Sequence, residues 1–299
     1  MNLSYDTKRK LLGFTFLIPY LLGFLMFFAV PLGQTIFSSF QTIDVPDGGG
    51  MSFTFLGLQN YVNLFTTELS TVDSNTQILR VLLDENSNML INMPLITLLS
   101  LFLALLANRQ FKGRAIVRMI FFLPIILGLD VVTEMLTLST GSEAVQSSGL
   151  FAEGLVTRLL VQYTAIPLTY LNPIIQFVEN IFSVIARSGV QTLVFLAALQ
   201  SISPSMYEVA KIEGATAYET FWKVTIPSIM HIVMFVVIYT IIDLFLNSQI
   251  AEEVYNFGFV VHGSKIGVAS ALSVVYIFNV LLMLGVTLLA FRKVVSSNG

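Results

Sequence analysis

Three polar side chains stand at helical intervals inside an otherwise apolar stretch: Tyr239, Asp243 and Asn247, each four residues from the next. Residues at i and i+4 share a helix face, so the spacing gathers a phenol, a carboxylate and an amide. A carboxylate and an amide accept and give hydrogen bonds to hydroxyl groups, and a tyrosine ring can cover the apolar face of a sugar ring. Ionisable groups within a bilayer are costly and as a rule face a bundle interior or a cavity. The expectation is a solute pathway lined by these residues, with Gln191, Asn279 and Asp130 as further polar positions in apolar runs. The competing reading makes the same residues bridges between helices, or groups at the outer mouth.

Other chemistries lack their parts. The chain has no cysteine, which excludes thiolate metal sites, disulfides and a cysteine nucleophile. Its two histidines, His231 and His262, do not stand in an H-E-x-x-H pattern, so no metalloprotease is indicated and no metal is expected. Gly258 to Lys265 approaches a phosphate-binding loop, but that motif needs lysine directly after its second glycine, and Ser264 intervenes. The 15 basic and 18 acidic residues make no basic field for nucleic acid. The expectation is a protein that is not an enzyme and binds no cofactor itself.

The elements that position the polar residues are membrane helices. Hydrophobic residues make up 55% of the 299 and charged residues 11%, against about 25% charged in a soluble domain. A spanning helix needs about 20 mostly apolar residues, and six runs qualify: 11–40, 89–108, 115–138, 181–202, 229–250 and 268–291. Eleven of the 15 basic residues, among them Lys8, Arg109, Arg118, Lys211 and Arg292, fall in alternate connections and at the two ends. The positive-inside rule then puts both termini in the cytoplasm. The first run is too long for a cleaved signal and lacks a small-x-small site. The expected fold class is an all-α integral membrane protein of six transmembrane helices. Residues 1–88 form a cytoplasmic tail, the first span and an external lobe with some helix after Gly57; 89–291 form a five-helix core; 292–299 form a second tail. The segment 139–180 is a further long external loop.

The loop between the fourth and fifth spans, 203–227, carries its own local signals. Ser205 with Glu208 and Thr216 with Glu219 match the S/T-x-x-E capping box. Gly214 between them is placed to end a helix in a left-handed conformation, and Pro227 to punctuate entry into the fifth span. Helix, tight turn, helix is the expectation, with Met206, Val209, Ala210, Ile212, Phe221 and Trp222 as apolar positions outside any span.

The series Glu208-Val209-Ala210, three residues, Gly214, nine residues, Val224-Thr225-Ile226-Pro227 resembles the EAA loop of binding-protein-dependent ABC importer permeases, with Val209, Val224 and Ile226 as conservative departures. Ala197 to Gln200, Ile212 to Ala215, Phe221-Trp222, Leu17 to Gly23, Val30-Pro31 and Gly57 to Tyr61 are similar to the carbohydrate branch of that family, which includes maltose and glycerol-phosphate permeases. The resemblance runs from about residue 11 to 291. It implies a type I importer permease fold in a bacterial or archaeal cell membrane, with the loop as a coupling helix seated in a groove of an ATPase subunit. On that resemblance Glu208, Val209, Ala210 and Gly214 form the transmission surface, and Ile226 and Pro227 fix its junction with the fifth span. It further implies a second, related permease, two ATPase subunits that hold ATP and magnesium, and an extracellular substrate-binding protein. An ion-coupled secondary transporter using Asp243 and Asp130 is the alternative. That class predicts inverted repeats and unwound helices at the midplane, neither of which is visible, and gives no reason for the loop.

Overall fold

The computed structural model describes residues 5–44, 50, 52–72, 75–108, 119, 184–185, 187–260 and 265–296. Helix α1 (Tyr5–Phe24) passes through a π-helical turn, Leu25–Ala29, into α2 (Val30–Ser38). A hairpin follows, β1 (Gln41–Asp44) and β2 (Ser52–Phe55), then α3 (Gln59–Thr66) and the long α4 (Ile78–Asn108). After the segment outside the described residues come α5 (Gly189–Ser201), α6 (Pro204–Ile212) and α7 (Ala217–Thr220). A second π turn, Phe221–Thr225, leads into α8 (Ile226–Leu246). The chain ends with α9 (Gln249–Tyr255), a third π turn, Asn256–Val260, and α10 (Ile266–Ser296).

Four helical stretches among the described residues are long and apolar enough to cross a membrane: Thr15–Ser38, Ile78–Asn108, Ala217–Leu246 and Ile266–Arg292. The pair α5 and α6, bent by 64°, would make a fifth if counted as one span. The expected third span, 115–138, lies outside the described residues except for Met119, and Asp130 and the loop 139–180 lie wholly outside them. Large apolar side chains such as Phe27 and Phe278 stand exposed along these helices, as they do where lipid replaces water as solvent.

Prolines mark two of the π turns. Pro31 and Pro227 each occupy the second residue after one. A proline lacks the N–H that would bond the carbonyl four residues back, and its ring crowds that carbonyl. The wider turn shifts the hydrogen bonds to five-residue spacing just ahead of it: Val30 donates to Leu25 and Ile226 to Phe221. Pro227 therefore does not break the chain at the entry to α8, and helix runs on from Ala217 to Leu246.

Two units divide the described chain, one of residues 1–87 with 245–283, the other of 88–244 with 284–299. In the first, the hairpin is antiparallel, Gln41 facing Phe55 and Asp44 facing Ser52, so the fold is not wholly α. Asn60, 4% exposed, donates through its side-chain amide to the carbonyls of Ser39 and Gln41 at 2.9 Å each. Gly267 lies against the same strand, where a Cβ would overlap the Gln41 carbonyl oxygen. Helix α4 begins eleven residues earlier than expected because Ile78, Val81, Leu82 and Met89 recur at helical spacing and are all buried. Ile78, Val81 and Leu82 pack with Leu64, Ile250, Phe257, Val268 and Leu272.

The core of the second unit draws on α4, α5 and α8: Ala104 and Ala107, Phe195 and Leu199, Ile229 and Val236. Small residues on α4 allow the close helix approach that packing within lipid requires.

Candidate functional site

The 203–227 loop assembles from backbone hydrogen bonds that its own sequence dictates. Helix α6 starts with Pro204, whose missing N–H costs nothing in the first turn, after Ser203 in extended conformation. Ser205 consequently lies inside the helix rather than at its cap. Its Oγ is 2.8 Å from that of Ser203. The expected Ser205–Glu208 capping box does not form, because Pro204 in the first helical position makes Ser203 the cap.

The C-terminus of α6 is a Schellman turn. Gly214 has φ +76°, its N–H donates to Lys211, and the N–H of Ala215 donates to Ala210 at 2.9 Å. Two residues later the Thr216–Glu219 capping box is complete: Glu219 N–H donates to Thr216 Oγ1 at 3.2 Å, and Thr216 N–H donates to Glu219 Oε2 at 3.0 Å. Lys223 approaches the same carboxylate at 3.4 Å.

This geometry gives α6 two faces. Glu208 is exposed, and Met206, Val209 and Ile212 are 45%, 53% and 85% exposed, an apolar stripe open to the surroundings. Ala210 faces inward at 6% exposure, so its small side chain serves packing within the chain. The Tyr207 hydroxyl meets Thr225 Oγ1 at 3.2 Å, linking α6 to the π turn that opens the α8 helix. Beside that link a groove of about 710 Å³ runs between α6 and the ends of α4 and α5, walled by Tyr207, Lys211, Tyr218, Leu105 and Leu199.

The polar residues read from the sequence as a pathway meet different fates. Tyr239 and Asp243 are half-buried on α8. The helix ends at Leu246, which leaves Asn247 exposed in the turn beyond it, so the three do not continue one helix face. Asn279 on α10 and Asn86 on α4 exchange two amide hydrogen bonds, at 2.8 and 3.3 Å, as partners that bridge helices. Gln191 on α5 is fully buried, and neither its amide nitrogen nor its oxygen has a hydrogen-bond partner among the described residues. An unsatisfied buried amide costs about 1–3 kcal/mol.

One buried group escaped the sequence reading. Glu253 on α9 has no solvent exposure, and its carboxylate is wrapped by the turn after α3. Thr71 gives its N–H at 2.8 Å and its hydroxyl at 2.6 Å, Val72 its N–H at 3.3 Å, and Ser70 its hydroxyl. Asn256 donates to the Thr71 hydroxyl at 3.0 Å, and Lys265 pairs with Glu68 at 2.7 Å. These contacts tie residues 68–72 to the connection between α8 and α10. Among the described residues no group of three or more histidines or carboxylates is arranged to hold a metal ion.

No protein-family model matches the chain. It is 30% identical over 244 residues to the probable ABC transporter permease protein YesP of Bacillus subtilis, covering 80% of this chain and 72% of that one. It is 27% identical to the arabinooligosaccharides transport system permease protein AraP of Halalkalibacterium halodurans, over 85% of this chain and 73% of that one. Its fold matches a chain of a bacterial alginate ABC transporter solved in complex with an alginate pentasaccharide-bound periplasmic protein, with TM-score 0.66, 19% identity and 99% of each chain covered. A membrane protein with these apolar helices, 30% identical to YesP over most of its length, belongs to the ABC transporter permeases, the transport components, not enzymes, of their systems.

Proposed function

We propose that this chain is the permease subunit of an ATP-driven importer that passes a carbohydrate, handed over by an extracellular substrate-binding protein. The observation that carries the reading is the 203–227 loop, whose Schellman turn at Gly214 and capping box at Thr216 present Met206, Val209 and Ile212 outward on a short rigid helix. An exposed apolar stripe beside an exposed carboxylate suits a groove on another protein, here the ATPase subunit. Glu208 and Val209 lie on the docking side, Ala210 and Gly214 hold the helix to its turn, and Ile226 and Pro227 carry its motion into α8. ATP and magnesium sit on that partner.

The carbohydrate assignment draws on the relative named for arabinooligosaccharides and on the fold shared with a transporter solved beside an alginate-bound protein. Tyr239 and Asp243 supply a ring and a carboxylate for hydroxylated solute, with Asn247 at the rim. The same reading gives six spans, both termini in the cytoplasm, and pairing with a second, related permease against the exposed helix Thr15–Ser38. Purification through a tag on this chain from gently solubilised membranes tests it. An ATPase chain should be retained; a permease recovered alone under conditions that keep its pair together contradicts the proposal.

A further inference from the structure

The amide of Gln191 is the buried side chain of the second unit that its described surroundings leave unanswered. Beside the apolar core of Phe195, Leu199 and Val236, each helix also buries polar residues among apolar ones such as Ile96 and Ile241: Ser100 on α4, Ser188, Gln191 and Thr192 at the start of α5, and Thr240 on α8, all within 2% of complete burial. The hydroxyls are used on backbone carbonyls. Ser100 bonds the Ile96 carbonyl at 2.5 Å, Ser188 that of Ile185 at 2.7 Å, Thr192 that of Ser188 at 2.7 Å and Thr240 that of Val236 at 2.8 Å. Each of these bonds closes within three or four residues on its own chain segment, and the further contact of Ser100, at 3.3 Å, also goes to a carbonyl, that of Ser188. Such back-bonding is how hydroxyls settle inside membrane helices, and it leaves none of these hydroxyl protons for Gln191.

A bridging role for Gln191 would look different. Asn86 and Asn279 show what a structural amide does in this protein, since each gives and takes a hydrogen bond with the other across two helices. Gln191 carries the same amide, with a longer stem, and pairs with nothing among the described residues. Leucine or methionine would fill the volume without the penalty of an unpaired amide. With no partner among the described residues, the buried amide works against the arrangement described.

We propose that Gln191 is a solute-binding residue presented only when α4, α5 and α8 part, its amide hydrogen-bonding the hydroxyls of a polyhydroxylated solute. This rests on the reading of the chain as a carbohydrate permease and gives Gln191, already a pathway candidate in the sequence, a conformation in which it acts and a direction of bias. With the amide unpaired, the closed packing around Gln191 is held less firmly than its apolar neighbours would hold it. Solute hydroxyls satisfy the amide in the opened arrangement and shift the population towards it.

The test uses Gln191→Met and Gln191→Leu in the full transporter complex, read by thermal unfolding without solute and by uptake of a panel of sugars and polyols. Both variants should unfold later than the wild type, the midpoint rising by about 2–4 °C, and apparent uptake affinity should weaken about tenfold. A midpoint that stays or falls, or variants that fail to accumulate, would mean the amide is already satisfied, and overturns the proposal. A raised midpoint with unchanged uptake overturns the solute role. Should the wild type carry no carbohydrate on the panel, the carbohydrate reading fails by itself, while the solute-free thermal comparison still decides whether Gln191 opposes the closed packing.

Discussion

The N–H of Ala215 donates to the carbonyl of Ala210 at 2.9 Å, across the left-handed residue Gly214. That bond sets the angle at which α6 leaves its turn. Among the described residues, no atom beyond its chain neighbours lies within 4 Å of where a Cβ on Gly214 would stand, so a side chain there meets backbone strain and no steric wall. Gly214→Leu should cost about 1 kcal/mol or more and loosen the α6 turn. The variant should reach the membrane in normal amount and retain its ATPase subunit poorly, or retain it without transport. Gly214→Asn, which tolerates the left-handed region better, should keep more of both. Membrane abundance, ATPase retention and uptake, measured together, check this; normal retention and uptake by Gly214→Leu would count against the loop as transmitter.

Removing the Glu253 carboxylate should release the turn it holds. Glu253→Ala leaves the N–H and hydroxyl of Thr71 without their acceptor, while the Val72 N–H keeps Ser70 Oγ at 3.2 Å, at a cost of about 2–5 kcal/mol in total. Limited proteolysis should then cut within residues 67–77 at protease concentrations that spare the wild type. Equal resistance of the two proteins would show that other contacts hold the turn.

The paired amides of Asn86 and Asn279 should behave as one unit. Asn86→Ala and Asn279→Ala should each destabilise, and the double variant should cost less than their sum, with a coupling of about 0.6–1.7 kcal/mol. Neither should alter the order of preference among transported solutes. Additive losses, or a changed preference with Asn279→Ala, would return Asn279 to the pathway.

Reporter fusions test the membrane path. Fusions after Gly48, Gly154 and Gly263 should report the outer side, and those after Lys112, Gly214 and Gly299 the cytoplasm. A cytoplasmic signal at Gly154 contradicts the arrangement of six spans.

Local features were the legible ones. The Gly214 turn and the Thr216–Glu219 box close within five residues, so the residues that make them stand together in the sequence. Ser205 misled because Pro204 takes the first helical position and moves the start of α6 ahead of it. The α4 start was hidden by Arg80, Asp84, Glu85 and Asn86, whose polarity reads as loop, although Ile78, Val81, Leu82 and Met89 carry the helical period. The pairing of Asn279 with Asn86 and of Glu253 with Thr71 joins residues more than 180 positions apart; no local pattern marks either. At the hairpin Gln41–Phe55, Asn60 bonds the Gln41 carbonyl from 19 residues away, and Gly267, which approaches the same carbonyl, is more than 200 positions distant.

The central claim, a permease driven by ATP, is tested most directly by uptake into sealed vesicles holding the complete transporter and its binding protein, with ATP supplied or withheld inside and ion gradients collapsed by ionophores. The account predicts carbohydrate uptake that requires internal ATP and persists when the gradients are gone. Uptake that continues without ATP and stops with the ionophores would contradict it.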